Sequence, residues 1–109
     1  MHELSITRSV VEICSEHAQG GRVTRVILEI GQLSAVMPEA VRFCFEICAH
    51  GTPVEGAALE IIETQGRALC RHCGAEVALT ELFGCCGCGS TNLEVVAGEA
   101  LKIKQIEVA

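Results

Sequence analysis

The chain of 109 residues has few aromatic side chains, few basic residues and no long apolar run. It has no tryptophan and no tyrosine, and three phenylalanines are all it offers for stacking on bases. Fourteen acidic residues against eight lysines and arginines give a formal charge of -6, which repels a phosphate backbone. We therefore expect no nucleic-acid partner.

The sequence also lacks the signals of membrane insertion and export. No stretch approaches the roughly 20 apolar residues that span a bilayer. The first residues show no basic segment followed by an apolar one. We expect a cytoplasmic protein with no membrane partner. In a reducing compartment, eight cysteines indicate metal binding or catalysis rather than disulfides.

Apolar spacing predicts an α+β fold with a small three-stranded sheet and two helices. Residues 4–18 and 38–50 have helical periodicity, and strands are expected at 23–30, 58–64 and 100–108. Five of the cysteines crowd into residues 70–88, among glycines. The composition thus predicts a main domain, residues 1–66 and 93–109, interrupted by a small cysteine-rich domain at residues 67–92.

Two C-x-x-C motifs, Cys70/Cys73 and Cys85/Cys88, are separated by residues 74–84. Each motif can offer two sulfurs to one tetrahedral ion, and a glycine follows each where the turn favours a positive φ. The spacing predicts a structural zinc site with four cysteine ligands in a zinc-ribbon-like domain. A redox pair, a rubredoxin-type iron centre and disulfides fit less well, given the sequence context, the scarcity of aromatics and the expected compartment.

Cys86 makes the second motif ambiguous, since Cys85, Cys86 and Cys88 are three cysteines within four residues. Cys85 and Cys88 repeat the spacing of the first motif, whereas Cys86 and Cys88 would form an unusually tight chelate. The spacing favours Cys85 as the ligand and leaves Cys86 as a spare thiol, with His72 facing solvent. The other three cysteines occupy the apolar stripes of the predicted helices and are expected to be core residues: Cys14, Cys44 and Cys48.

The N-terminal residues offer a second candidate metal site. The Met1 amine, the His2 amide nitrogen and the His2 imidazole can chelate one divalent ion in fused rings, and Glu3 adds an amide and a carboxylate. Deprotonated amide nitrogens favour square-planar ions such as Ni(II) and Cu(II). The pattern alone is only suggestive, since many chains begin Met-His by accident.

Several further motifs run in order along the whole chain. They are Met1-His2-Glu3-Leu4-Ser5, Leu28-Glu29-Ile30-Gly31-Gln32-Leu33-Ser34, Ala40-Val41-Arg42-Phe43-Cys44-Phe45-Glu46, His50-Gly51-Thr52, Glu55-Gly56-Ala57, the two C-x-x-C motifs and Ile103-Lys104-Gln105-Ile106-Glu107-Val108. Together they resemble the HypA/HybF family, the metallochaperones of hydrogenase nickel incorporation.

The resemblance implies two metal sites. At the N-terminus, it implies a nickel site with His2 as the essential ligand, Glu3 as its neighbour and the Met1 amine as a further donor. For zinc, it implies four ligands: Cys70, Cys73, Cys85 and Cys88. Relatives usually carry a proline where this chain has Cys86, and alignment on Gly89-Ser90 assigns Cys85 as the ligand.

The resemblance also implies a function as a nickel metallochaperone. Such a protein would carry Ni(II) to the precursor of the [NiFe]-hydrogenase large subunit, together with a HypB-type GTPase, and some relatives also serve urease. We expect no enzymatic activity, because four cysteines would close the zinc site to substrate. The alternative is an acidic zinc-ribbon protein-interaction module without a nickel role. The sequence leaves the oligomeric state open, a homodimer included.

Overall fold

The computed structural model describes residues 3–109, so the predicted nickel ligands Met1 and His2 lie outside the described residues. The elements in chain order are helix α1 (Glu3–His17), strand β1 (Val23–Gly31), helix α2 (Pro38–Ala49), and strands β2 (Ala58–Thr64), β3 (Gly66–Cys70), β4 (Glu76–Leu79), β5 (Leu93–Ala97) and β6 (Leu101–Val108). No helix among them is long and apolar enough to cross a membrane.

Helix α1 buries one face, made of residues spaced three and four apart. Val10, Val11 and Cys14 are buried there, as the periodicity predicted. Thr7 is fully buried on the same face, and its hydroxyl donates to the Glu3 carbonyl at 2.6 Å. This bond removes the cost of burying an unpaired hydroxyl.

Helix α2 begins at Pro38, where the missing amide hydrogen of proline costs no helical hydrogen bond. Its buried stripe is Val41, Phe45 and Ala49, and this helix packs against α1. Cys44 and Cys48 are half-buried at the edges of that stripe. The exposed side of α2 carries the charged Arg42 and Glu46 but also two apolar side chains, Phe43 and Ile47.

The first sheet has the strand order β2-β1-β6, with β1 in the centre. The central position explains why Val26, Leu28 and Ile30 are almost completely buried. Arg25 on β1 forms ion pairs with Glu60 on β2 and with Glu107 on β6. This sheet and the two helices confirm the predicted α+β class.

The second sheet has the order β4-β3-β5, with both pairs antiparallel. Its small core consists of buried Leu33, Ala68 and Leu79, with three half-buried residues packed against it: Val77, Leu93 and Val95. Strand β3 was not predicted, because five residues give too little periodicity.

The chain divides into two compact units. The helical unit takes the chain up to Glu29, then Val36–Ile62 and Lys102–Ala109. The cysteine unit takes Ile30–Ala35 and Glu63–Leu101, a wider range than the 67–92 expected from composition. The difference arises because β5 pairs with β3 and because Leu33 contributes to the core of the cysteine unit.

Position 98 requires a glycine because two backbone segments approach each other closely there. Its φ is +88°, and an added Cβ would lie 2.5 Å from the Gly66 Cα and 2.7 Å from the Gln65 carbonyl oxygen. Its own carbonyl accepts a hydrogen bond from the Leu33 amide at 2.8 Å. Any side chain at Gly98 would therefore be strained and would displace backbone atoms.

We predict that Gly98→Ala lowers the free energy of unfolding by about 2–5 kcal/mol, from backbone strain plus overpacking. Gly20→Ala is the matched control, because Gly20 also has a positive φ of +87° but has no atom within 4 Å of an added Cβ. That control should lose only about 1–2 kcal/mol. Urea unfolding followed by circular dichroism measures both losses. Equal losses would show that the close approach has no effect.

Candidate metal centre

Four cysteine sulfurs converge in the cysteine unit. They belong to Cys70, Cys73, Cys86 and Cys88, and all lie within 4.8 Å of one another. Cys70 is the last residue of β3 and is 1% exposed, and Cys86 is 5% exposed. Cys73 and Cys88 are solvent-exposed, so the cluster lies at the surface of the unit.

The distances between the sulfurs fit a tetrahedral metal ion. The Cys70 and Cys88 sulfurs are 3.7 Å apart, and those of Cys73 and Cys86 are 3.5 Å apart. A zinc–sulfur bond of about 2.3 Å places tetrahedral ligands about 3.8 Å apart. A disulfide would need about 2.05 Å, and all eight cysteines are free. The cluster is therefore a four-thiol cage of the size that zinc takes.

The first knuckle, residues 70–75, is a tight turn closed by its own backbone. The Cys70 amide donates to the Ala75 carbonyl at 2.8 Å, and the Gly74 amide donates to the Cys70 carbonyl at 2.9 Å. Gly74 has a φ of +78°, which explains the glycine after the motif. The turn brings Cys70 and Cys73 to the same side.

The second knuckle, residues 85–90, is closed one residue more tightly. The Cys86 amide donates to the Ser90 carbonyl at 2.9 Å, and the Gly89 amide donates to the Cys86 carbonyl at 2.8 Å. Gly89 has a φ of +93°, in the same role as Gly74. Two hydrogen bonds thus hold Cys86 at the base of this turn.

The structure differs from the sequence prediction at the fourth sulfur. Cys85, favoured by its spacing from Cys88, lies outside the cluster and is exposed, while Cys86 is buried in it. The physical reason is the backbone pattern of the second knuckle, which places Cys86 where the first knuckle has Cys70. Of the predicted zinc ligands, the structure brings together Cys70, Cys73 and Cys88.

The thiols in the cluster do not titrate independently. The Cys73 amide, together with the His72 amide, lowers the pKa of Cys70 to about 6 despite desolvation. The Ser90 amide favours the Cys88 thiolate, but desolvation and the three neighbouring sulfurs prevail and raise its pKa to about 12. The Cys70 thiolate therefore forms readily, whereas a cation beside Cys88 would be needed to favour its thiolate near neutral pH.

The other described cysteines and histidines stand apart from this cluster. Cys14 is buried in α1, and burial raises the pKa of its thiol. The His17 ring contacts the Ile13 carbonyl, and the His50 ring pairs with Glu55. His72 is exposed, as expected. Within residues 3–109, none of these histidines belongs to a metal-binding group.

Glu3 is the one predicted nickel-site residue that the structure describes. It begins α1, and its carboxylate accepts a hydrogen bond from the Met37 amide at 3.2 Å. Met37 is the residue immediately before α2. The carboxylate therefore joins the beginnings of the two helices. Sequence periodicity gave no sign of this contact.

We predict that Cys70→Ser lowers zinc affinity at least about 100-fold, because loss of a partner beyond the direct ligands already costs about 10–100-fold. Cys44→Ser is the control, since Cys44 is half-buried on α2 and should leave affinity unchanged. Competition with a chromogenic chelator measures both affinities. Equal affinity in the two variants would mean that the cluster does not bind the ion.

Comparisons with known proteins agree with these features. A family model described as "Hydrogenase/urease nickel incorporation, metallochaperone, hypA" matches residues 1–108. The hydrogenase maturation factor HypA of Nostoc sp. is 63% identical over 99% of this chain and 96% of its own length. That of Trichormus variabilis is 59% identical over the same shares.

A solved structure shows the same relationship. The solution structure of the Ni metallochaperone HypA from Helicobacter pylori matches with a TM-score of 0.72 and 27% identity, covering 99% of this chain and 97% of that one. A metallochaperone carries metal and is not an enzyme, in agreement with the expectation from the sequence. The chain therefore belongs to the HypA family of hydrogenase/urease nickel-incorporation metallochaperones.

Proposed function

We propose that this protein binds Ni(II) at its N-terminus and delivers it during maturation of the [NiFe]-hydrogenase large subunit. The observation that carries the proposal is the family match, which spans residues 1–108 and so includes the Met1-His2-Glu3 segment. Its partners would be a HypB-type GTPase and the large-subunit precursor. Nickel transfer would take place in the cytoplasm, and the protein would act alone or as a homodimer.

The proposed nickel ligands are centred on His2. Its imidazole and backbone amide nitrogen can close fused chelate rings with the Met1 amine, a donor set that suits square-planar Ni(II). Nitrogen donors on a short terminal segment leave the ion accessible, so that a partner's ligands can displace them one at a time. Such accessibility suits a carrier, which must release its cargo.

Glu3 has two possible contributions to this site. Its carboxylate could donate an oxygen to nickel, and the same carboxylate accepts from the Met37 amide. That hydrogen bond supports a positioning role, because it fixes the residue next to His2 against the beginning of α2. A variant that keeps the hydrogen-bond acceptor but removes the charge can separate the two contributions.

We also propose that the cysteine cluster holds a structural zinc ion. Cys70, Cys73 and Cys88 supply three sulfurs, and the fourth comes from the Cys85–Cys86 pair. The spacing supports Cys85, whereas the sulfur positions support Cys86. Bound zinc would neutralise the thiolates and cross-link the two knuckles. Four thiolates leave no open coordination position, so this ion would stay with the protein while nickel is transferred.

We predict that His2→Ala loses at least about 100-fold in Ni(II) affinity and leaves zinc content unchanged, because it removes a direct ligand remote in sequence from the cysteines. Isothermal titration with Ni(II), with zinc quantified in parallel, measures both.

The matched control for this variant is His72→Ala, since His72 is exposed beside a zinc ligand. It should retain nickel affinity. Nickel binding that survives His2→Ala would contradict the proposed site. Zinc binding without any nickel binding by the wild type would favour an interaction module instead.

We predict that Glu3→Gln retains Ni(II) affinity to within about threefold, while Glu3→Ala lowers it about tenfold. Glutamine can still accept from the Met37 amide, whereas alanine removes the acceptor; loss of one hydrogen bond to a charged group amounts to about 1.5 kcal/mol or more. The same titration compares both variants. An equal, large loss in both would identify the carboxylate charge as the essential feature and Glu3 as a direct ligand.

A further inference from the structure

The second knuckle contains two adjacent thiols, and two observations assign the fourth ligand position differently. Cys85 and Cys88 have the same spacing as the two cysteines of the first motif, which favours Cys85. The sulfur that lies in the cluster, however, is that of Cys86. We propose that the second knuckle has two registers and that Cys85 and Cys86 exchange as the fourth ligand of the metal. The proposal rests on the metal site described above but not on the nickel site.

The first knuckle shows what the alternative register looks like. Adding 15 to each residue number of the first knuckle maps Cys73 onto Cys88, Gly74 onto Gly89 and Ala75 onto Ser90. The same shift maps Cys70 onto Cys85. In the first knuckle, the hydrogen bonds run from the Cys70 amide to the Ala75 carbonyl and from the Gly74 amide to the Cys70 carbonyl.

The second knuckle uses the equivalent partners but engages the neighbouring residue. The Ser90 carbonyl and the Gly89 amide both bond to Cys86, where the first-knuckle pattern would have them bond to Cys85. A slip by one residue would therefore exchange two hydrogen bonds for two of the same kind. Both registers pair the Ser90 carbonyl and the Gly89 amide with a cysteine, so these two hydrogen bonds alone do not select one register.

The chain around this pair can accommodate the slip. Strand β4 ends at Leu79, and residues 80–85 are exposed and outside any helix or strand, so they can take up one residue of slack. Gly87, between Cys86 and Cys88, has no atom within 4 Å of an added Cβ. The middle of this turn therefore has open space beside it.

The exchange is balanced in bonds and charge. As the Cys85 sulfur bonds to the metal it loses its proton, and as the Cys86 sulfur leaves it gains one through solvent. One metal–sulfur bond forms and one breaks, the metal keeps four thiolates and its oxidation state, and the net charge is unchanged. The thiol outside the cage is the only one of the two that can react with an alkylating reagent.

Cobalt(II) in place of zinc tests the exchange, because its charge-transfer absorption reports the number of bound thiolates. We expect Cys85→Ser and Cys86→Ser each to keep the wild-type intensity, since the remaining thiol fills the position. The double variant should lose about a quarter of the intensity, as should Cys73→Ser, the control for loss of one of four ligands. Cys48→Ser should lose none.

Limited alkylation of zinc-loaded wild-type protein tests the same exchange without substitution. We expect label at both Cys85 and Cys86, in a ratio between about 1:10 and 10:1, while Cys70, Cys73 and Cys88 stay protected. Label at only one of the pair, or loss of intensity in only one single variant, would overturn the exchange. If wild type gives no four-thiolate spectrum, the cysteine metal site itself fails, whereas the nickel titrations are unaffected.

Discussion

Four sulfur atoms within 4.8 Å of one another are compatible with ionised thiols only when a cation lies between them, and the cysteine unit depends on that constraint. The buried cluster among its strands is small and consists of Leu33, Ala68 and Leu79. Units of this size seldom bury enough apolar surface to offset the entropy of ordering the chain. A metal cross-link between the two knuckles would supply what so small a core lacks. The Cys73 amide lowers the pKa of Cys70, whereas desolvation and the neighbouring sulfurs outweigh the Ser90 amide and raise the pKa of Cys88.

The cysteine cluster and the N-terminal segment differ in the kind of metal binding they can support. Sulfurs held by the closed turns of the first and second knuckles form a four-thiol cage, and such a set of soft ligands would retain a zinc ion. The N-terminal segment has nitrogen donors, and Glu3 is anchored through one hydrogen bond to Met37. A carrier needs both properties in one chain: a metal that keeps the fold, and a metal that leaves. Family membership and the four-sulfur cage together make this division of roles the simplest account of the chain.

The sequence predicts much of this fold because the helices have unmistakable stripes. Val10, Val11, Cys14, Val41 and Phe45 were all expected in the core and are buried there. Spacing alone predicted Cys70, Cys73 and Cys88 as ligands, and the structure brings their sulfurs together. The contact of Glu3 with Met37 joins residues 34 apart, and the approach of Gly98 to Gly66 brings a loop against the start of β3, so no local pattern reports either. Cys86 was missed for a different reason: spacing counts residues, whereas the turn is decided by which amide reaches the Ser90 carbonyl.

An adjacent pair of cysteines changes how the fourth ligand position responds to damage. A single ligand such as Cys70 has no neighbour that could replace it, because the residues beside it are Leu69 and Arg71. Cys85 and Cys86 share one position, so oxidation or alkylation of the exposed thiol leaves the other to complete the cage. The exposed member would react first, because it is the one that solvent reaches. In either register, the thiol outside the cage is therefore the one that the metal site can lose. The integrity of the cysteine unit then depends on the three ligands that have no substitute.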